Sequence, residues 1–76
     1  MQTILPEMTE VASTNLQSIG YDDSSLFVRF RDNNLVYRFP DVPRIVWEGL
    51  CRAESKGKFF NAYIRNQYEY EKVESL

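Results

Sequence analysis

The sequence contains no histidine, which removes the commonest general base and the commonest metal ligand. Its single cysteine, Cys51, has neither a second cysteine for an internal disulfide nor a histidine to activate its thiol. Asp22 and Asp23 fall in a segment with turn composition, and no spaced set of acids forms a calcium loop. We therefore predict a protein that is not an enzyme and uses neither a metal nor a cofactor.

Long apolar runs are also missing, so the sequence predicts no membrane-spanning segment, and its first residues lack the pattern of a signal peptide. A lone cysteine is typical of a reducing compartment, and we predict a cytoplasmic protein. The 76 residues are enough for one domain, near the lower size limit for folding without disulfides or metals. With 43% hydrophobic and 14% aromatic residues, the chain can supply a core.

The formal net charge of −2 conceals an uneven distribution of charge along the chain. Residues 25–65 carry eight basic and four acidic side chains, whereas residues 1–24 and 66–76 are both net acidic. A basic centre between acidic ends favours a local patch that attracts an anionic partner.

Alternation of apolar and polar residues in the first half predicts three β-strands, at residues 15–21, 26–31 and 35–39. The Asp/Ser-rich residues 22–25 and the Asp-Asn-Asn segment after the second strand are typical turns. The strands should form an antiparallel meander. Residues 1–12 have no clean period, and we predict a flexible N-terminal arm there, followed by a single domain over residues 13–76.

Two helices are predicted after Pro40, where the apolar spacing changes from two to about 3.6 residues. The first should run to about residue 53, with Pro43 in its first turn and Asp41 or Val42 as its cap. Its apolar stripe includes Cys51, which predicts a buried and inert thiol.

The second helix should span residues 56–65, with Ser55 as its N-cap. Tyr68–Val73 alternates aromatic and charged residues and is interpreted as either a short edge strand or an extended tail. The predicted fold is α+β: a three-stranded antiparallel meander, then two helices packed on one sheet face, with a C-terminal strand left open.

The sheet face opposite the helices should carry basic side chains beside an aromatic ring: Arg29, Arg31, Arg38 and Phe27. Single-stranded nucleic-acid binders combine charge with a stacking surface in this way. Two alternatives stay open. The face is an ordinary solvated one, or its arginines pair with Glu69 or Glu71 if the acidic C-terminal segment folds back.

A second basic group lies at the predicted start of the second helix, where Ser55 is followed by Lys56, Gly57 and Lys58. Free N–H groups and the helix dipole favour an anion at such a position, and Arg65 adds charge further along. The alternative is that Ser55 only caps the helix and the lysines are solvated.

Several segments together resemble a known family: residues 18–22, 26–30, 37–39, 42–43, 55–61, 64–65 and 68–70. They are similar to the KTSC domain, named for its place at the C-terminus of some lysyl-tRNA synthetases and also found in short stand-alone bacterial and phage proteins. The resemblance covers about residues 15–73. Phe39 stands where the family usually has tyrosine, which suggests a core side chain, and Asn33-Asn34 replaces a frequent glycine.

The resemblance implies the α+β fold and, through the synthetase fusion, RNA binding. We therefore predict a non-catalytic module that binds RNA or another nucleic acid through Phe27, Arg29, Arg31, Arg38, Lys56, Lys58 and Arg65. The alternative is a phage or bacterial regulator that binds a host protein, with the Tyr68–Val73 segment as a docking strand.

Overall fold

Residues 6–73, which the computed structural model describes, form an α+β fold. Its elements are β1 (Thr9–Glu10), β2 (Leu16–Asp22), β3 (Ser25–Phe30), β4 (Val36–Phe39), α1 (Arg44–Arg52), α2 (Lys56–Tyr63) and β5 (Glu71–Val73). Within these residues the strands form one antiparallel sheet in chain order, from β1 at one edge to β5 at the other. The predicted meander of three strands, now β2, β3 and β4, is confirmed as the centre of this sheet.

Both meander turns place non-glycine residues at positive φ. Asp23 and Ser24 have φ values of 50° and 65°, as in the two-residue type I′ turn whose twist matches that of the flanking strands. Asn34, in the next turn, has a φ of 59°, and asparagine adopts this region more readily than most residues. The asparagine pair can therefore replace a glycine in this hairpin.

The main core lies between the helices and one face of the sheet. Val28 and Phe39 point from the sheet toward Leu50 of α1 and Phe60 of α2, and all four side chains are buried. The prediction that both helices pack on one face is confirmed. Phe39 is 2% exposed and is therefore the core side chain that its lack of a hydroxyl suggests.

The connection from β4 to α1 differs from its predicted form. The helix begins at Arg44, so Pro43 is its N-cap residue and no side chain caps it; the prediction of Asp41 or Val42 as the cap is wrong. Val42 is instead buried, and its carbonyl oxygen accepts a 2.6 Å hydrogen bond from the Tyr21 hydroxyl. This contact fixes the start of α1 against β2.

Of the predicted N-terminal arm, residues 6–12 lie along the sheet in this structure, and residues 1–5 lie outside the described part of the chain. Thr9–Glu10 pairs with β2, and residues 6–8 cross the sheet at Gly20. A Cβ at Gly20 would lie 2.9 Å from the Glu7 carbonyl oxygen, so this crossing requires glycine. The sequence gives no sign of this strand because two residues are too few to show alternation.

The C-terminal segment adopts the strand form of the two predicted alternatives. β5 pairs with β4 and places Val73 in a second small cluster with Phe27 and Val36, on the face away from the helices. Met8 packs against the same cluster. Chain segments from both ends therefore cover part of the face that the sequence predicts to be open.

Candidate functional site

Two of the predicted basic side chains on the face opposite the helices have intramolecular partners. Arg38 forms a 2.8 Å salt bridge with Glu71 across β4 and β5, the folded-back alternative raised from the sequence. Arg29 donates to the carbonyl oxygen of Asn34 at 3.2 Å. Phe27 is only 4% exposed, so its prediction as a stacking surface is wrong: the second cluster covers its ring.

Arg31 lies just beyond β3, and its side chain holds the segment before β2. Its guanidinium donates to the carbonyl oxygens of Val11, Ser13 and Leu16 at 3.1–3.3 Å. Three backbone acceptors indicate a structural role, because these bonds join β3 to a segment about 15–20 residues earlier in the chain. The sequence could not reveal this, since the acceptors are backbone atoms.

The start of α2 forms as predicted, but its glycine serves a different purpose. The Ser55 Oγ accepts a 3.3 Å hydrogen bond from the Lys58 N–H, and the Lys56 Nζ donates to the Ala53 carbonyl oxygen at 3.1 Å. A Cβ at Gly57 would lie 2.5 Å from the Asn15 Oδ1. The glycine thus makes room for the segment before β2.

A groove of about 720 Å³ runs between α2 and the segment before β2, and we call it the α2 groove. Lys58 and Asn61, three residues apart on one face of α2, line it opposite Asn15. The other residues that line it are Ala12, Ser13, Thr14, Glu54, Ser55 and Gly57.

A second depression of about 300 Å³, which we call the aromatic cleft, lies next to the groove, and Asn15 lines both. Five aromatic side chains form it: Phe30, Tyr37, Phe39, Phe60 and Tyr70. Polar side chains surround them: Asn15, Asp32, Asn33 and Arg65. Alternation in β4 places Tyr37 and Phe39 on one face, but no sequence pattern indicated that the rings would leave an opening.

The predicted site residues therefore separate into two groups on opposite faces of the sheet. Arg29 and Arg38 lie on the face away from the helices, whereas Lys58 and Arg65 lie on the helix side. Lys58 lies in the first turn of α2 and Arg65 just beyond its last residue. Both are exposed, and neither side chain forms a hydrogen bond or ion pair within residues 6–73.

Cys51 is exposed on α1, so the prediction of a buried thiol is wrong. The neighbouring Leu50 fills the core instead, because the helix turns the following position outward. Partial desolvation raises the pKa of the Cys51 thiol, an effect that Lys56 opposes and Glu48 reinforces. A raised pKa leaves less of the thiol ionised at neutral pH.

We expect iodoacetamide to alkylate Cys51 slowly at pH 7, because the reactive thiolate is scarce there. The rate should rise with pH through a midpoint above that of an unperturbed cysteine, about 8.5. Mass spectrometry of the folded protein between pH 6 and pH 10 measures this midpoint, with the urea-unfolded chain as reference. A folded-state midpoint below that of the unfolded chain would contradict a raised pKa for the Cys51 thiol.

Two kinds of element are absent from residues 6–73. No group of three or more histidine, cysteine, aspartate or glutamate side chains is arranged there to hold a metal ion. None of the helices in this range is long and apolar enough to cross a membrane.

Comparison with known proteins identifies the family. The model of the KTSC domain matches residues 12–68, three quarters of the chain. This chain belongs to the KTSC domain family. The crystal structure of a KTSC domain protein from Yersinia pestis is similar, with a TM-score of 0.84 and 31% sequence identity, covering 90% of this chain and 97% of that one.

Two relatives differ in how much of their own length this chain matches. An uncharacterized protein from Stutzerimonas stutzeri is 37% identical over 65 residues, covering 82% of this chain and 90% of that protein. A lysine–tRNA ligase from Nostoc sp. is 38% identical over 42 residues, 55% of this chain, and this chain spans only 8% of that ligase. The family match names no catalytic activity.

Proposed function

We propose that this KTSC domain is a non-catalytic module that binds single-stranded RNA along the α2 groove. The observation that carries the proposal is that Lys58 lines the α2 groove and Arg65 lines the adjacent aromatic cleft, while neither side chain forms an ion pair within residues 6–73. When a phosphate binds such a side chain, counterions are released into solution, which favours binding. An arginine already paired with a carboxylate contributes less to the affinity.

The groove also favours a single strand over a duplex as the proposed ligand. It is lined mostly by polar side chains and adjoins the aromatic cleft, so a backbone could follow α2 while a base leaves the strand. A duplex keeps its bases stacked and paired and could use only the two charges. Glu54 and Asp32 lie along the same path and limit the attraction to positions near Lys58 and Arg65.

The comparison with the lysine–tRNA ligase supports an RNA ligand. That relative is, by its name, an enzyme that acts on tRNA, and its matching segment is a small part of its length. A short non-catalytic segment attached to such an enzyme is well suited to add contacts to RNA, and the stand-alone chain would use the same surface.

Fluorescence anisotropy with labelled single-stranded RNA, tRNA and duplex DNA tests the proposal. We expect micromolar binding of single-stranded RNA, with a slope of log K against log salt of about −1.4, since each of two phosphate contacts contributes about −0.7. Duplex DNA should bind more weakly at both salt concentrations. A flat titration with every nucleic acid at the lower salt concentration would overturn the proposal.

The second candidate function is capture of a protein partner at the free edge of β5. The strand order places β5 at the edge of the sheet, and the adjacent Tyr70 is 58% exposed. An extended peptide can add to such an edge through backbone hydrogen bonds. Flat nucleic-acid titrations would make this the preferred function.

A further inference from the structure

The aromatic cleft combines buried and accessible rings. Phe39 and Phe60 are almost fully buried and form its floor, whereas Phe30 and Tyr37 are half-buried and Tyr70 is 58% exposed. Neighbouring ring centroids lie 5.2–5.6 Å apart around the cleft. Packing to the floor holds the outer rings in place, so a planar ligand meets a surface that is already formed.

The polar rim offers hydrogen-bond donors beside these rings. The Asn15 and Asn33 carbonyl oxygens accept bonds from the Ser13 hydroxyl and the Leu35 N–H. Their NH₂ groups donate to no partner within residues 6–73 and are available to a ligand. Arg65 adds a guanidinium, and Asp32 is the single carboxylate among the lining residues of this cleft. No ion pair joins Arg65 to Asp32 within residues 6–73.

The aromatic rings and the polar rim together allow a choice between two kinds of ligand that bind aromatic side chains, a quaternary ammonium group and a nucleobase. A quaternary ammonium group uses ring faces and a negative charge, but it has no acceptor for two amides and is repelled by a guanidinium. A nucleobase presents a π-face for the tyrosines, ring and carbonyl acceptors for the amides, and N–H donors for a carboxylate. The volume of about 300 Å³ is at the lower end for ligand pockets and suits one nucleoside.

We propose that the aromatic cleft receives one unpaired base of the RNA strand, stacked on Tyr70, with Arg65 at the adjoining phosphate. This inference rests on the proposed function, since the base arrives from a strand in the α2 groove. The two basic residues alone would not select a flexible strand with an accessible base, whereas the cleft would.

A thermodynamic cycle between protein and RNA tests this contact. The RNA is varied by placing an abasic site at each nucleotide of a single strand in turn. The protein is varied by comparing the wild type with Tyr70→Ala. In the wild type, one abasic position should weaken binding about 10-fold, as expected for loss of one stacked base. In Tyr70→Ala that same position should have no further effect, and the intact RNA should bind about 10-fold more weakly.

Three further variants serve as controls for the Tyr70 substitution. Tyr63→Ala removes a tyrosine of matched exposure, 60%, that does not line the cleft, and it should keep both the affinity and the abasic effect. Tyr70→Leu retains apolar contact with Phe39 but has no aromatic face, and Tyr70→Phe retains the face. If Tyr70→Ala unfolds, Tyr70→Leu should give the 10-fold loss and Tyr70→Phe should bind like the wild type.

The results separate the two proposals. Salt-dependent RNA binding in which no abasic position matters, or in which folded Tyr70→Leu binds like the wild type, would overturn the base contact and leave the proposed function standing. Absence of binding by any RNA at low salt would overturn both. Loss of the abasic effect in Tyr70→Leu, but not in Tyr63→Ala, is the result expected.

Discussion

Replacement of Phe60 by alanine is expected to lower the free energy of unfolding by about 3–5 kcal/mol. The ring is 1% exposed and packs edge-on against both Phe30 and Phe39, so it joins α2 to β3 and β4. Truncation would leave a cavity bounded by the sheet, which can collapse little. A domain of this size has a total stability of roughly 4–11 kcal/mol, so this loss is a large fraction of the total.

Urea denaturation followed by Trp47 fluorescence measures this loss, because Trp47 stacks on Tyr21 at a centroid distance of 5.5 Å and should report loss of the fold. The matched control is Tyr63→Ala on the same helix, whose ring is mostly exposed and should contribute less than about 1 kcal/mol. Equal losses in the two variants would mean that α2 does not depend on its buried face.

The central fold could be predicted because its signals are local. Alternation in β3 and β4 fixed which side chains meet the helices, and the turn residues between strands fixed the meander. Ser55 was recognisable as a cap because a capping serine bonds to the N–H three residues later. Each of these features depends on residues within one short segment.

The partners of the basic side chains could not be predicted because they lie far away in the sequence. Glu71 reaches Arg38 across 33 residues, and the acceptors of Arg31 are backbone carbonyls with no identity in the sequence. A pattern of alternating charge is the same whether an arginine is free or paired. The prediction of a basic face thus placed Arg29 and Arg38 correctly on the sheet but did not show that both have partners.

Packing against sequence-distant segments also explains the errors at Phe27 and Cys51. Phe27 is covered because residues 6–8 and β5 cross its face, and neither segment has a clear secondary-structure signal of its own. Cys51 lies at the margin of the apolar stripe, where a small rotation of the helix decides between core and solvent. The aromatic cleft was missed for a related reason: periodicity assigns rings to a core but gives no measure of the space between them.

The double substitution Lys58→Ala and Arg65→Ala should weaken RNA binding about 25-fold at about 0.1 M salt. Each single-strand phosphate contact contributes about 5-fold there relative to 1 M salt, and losing two contacts should bring the salt slope close to zero. Both side chains are exposed, and neither forms a hydrogen bond or ion pair within residues 6–73, so the fold should be retained.

Two charge-matched double variants make this result specific. Arg44→Ala with Arg52→Ala removes the same charge from α1, outside both depressions, and should change the affinity less than about 2-fold. Arg29→Ala with Arg38→Ala removes charge from the opposite sheet face. If that pair lowers the affinity and the salt slope more than the α2 pair does, RNA binds the sheet face and the α2 groove is not its site. Because Arg38 is already paired with Glu71, we expect the larger loss in the α2 pair.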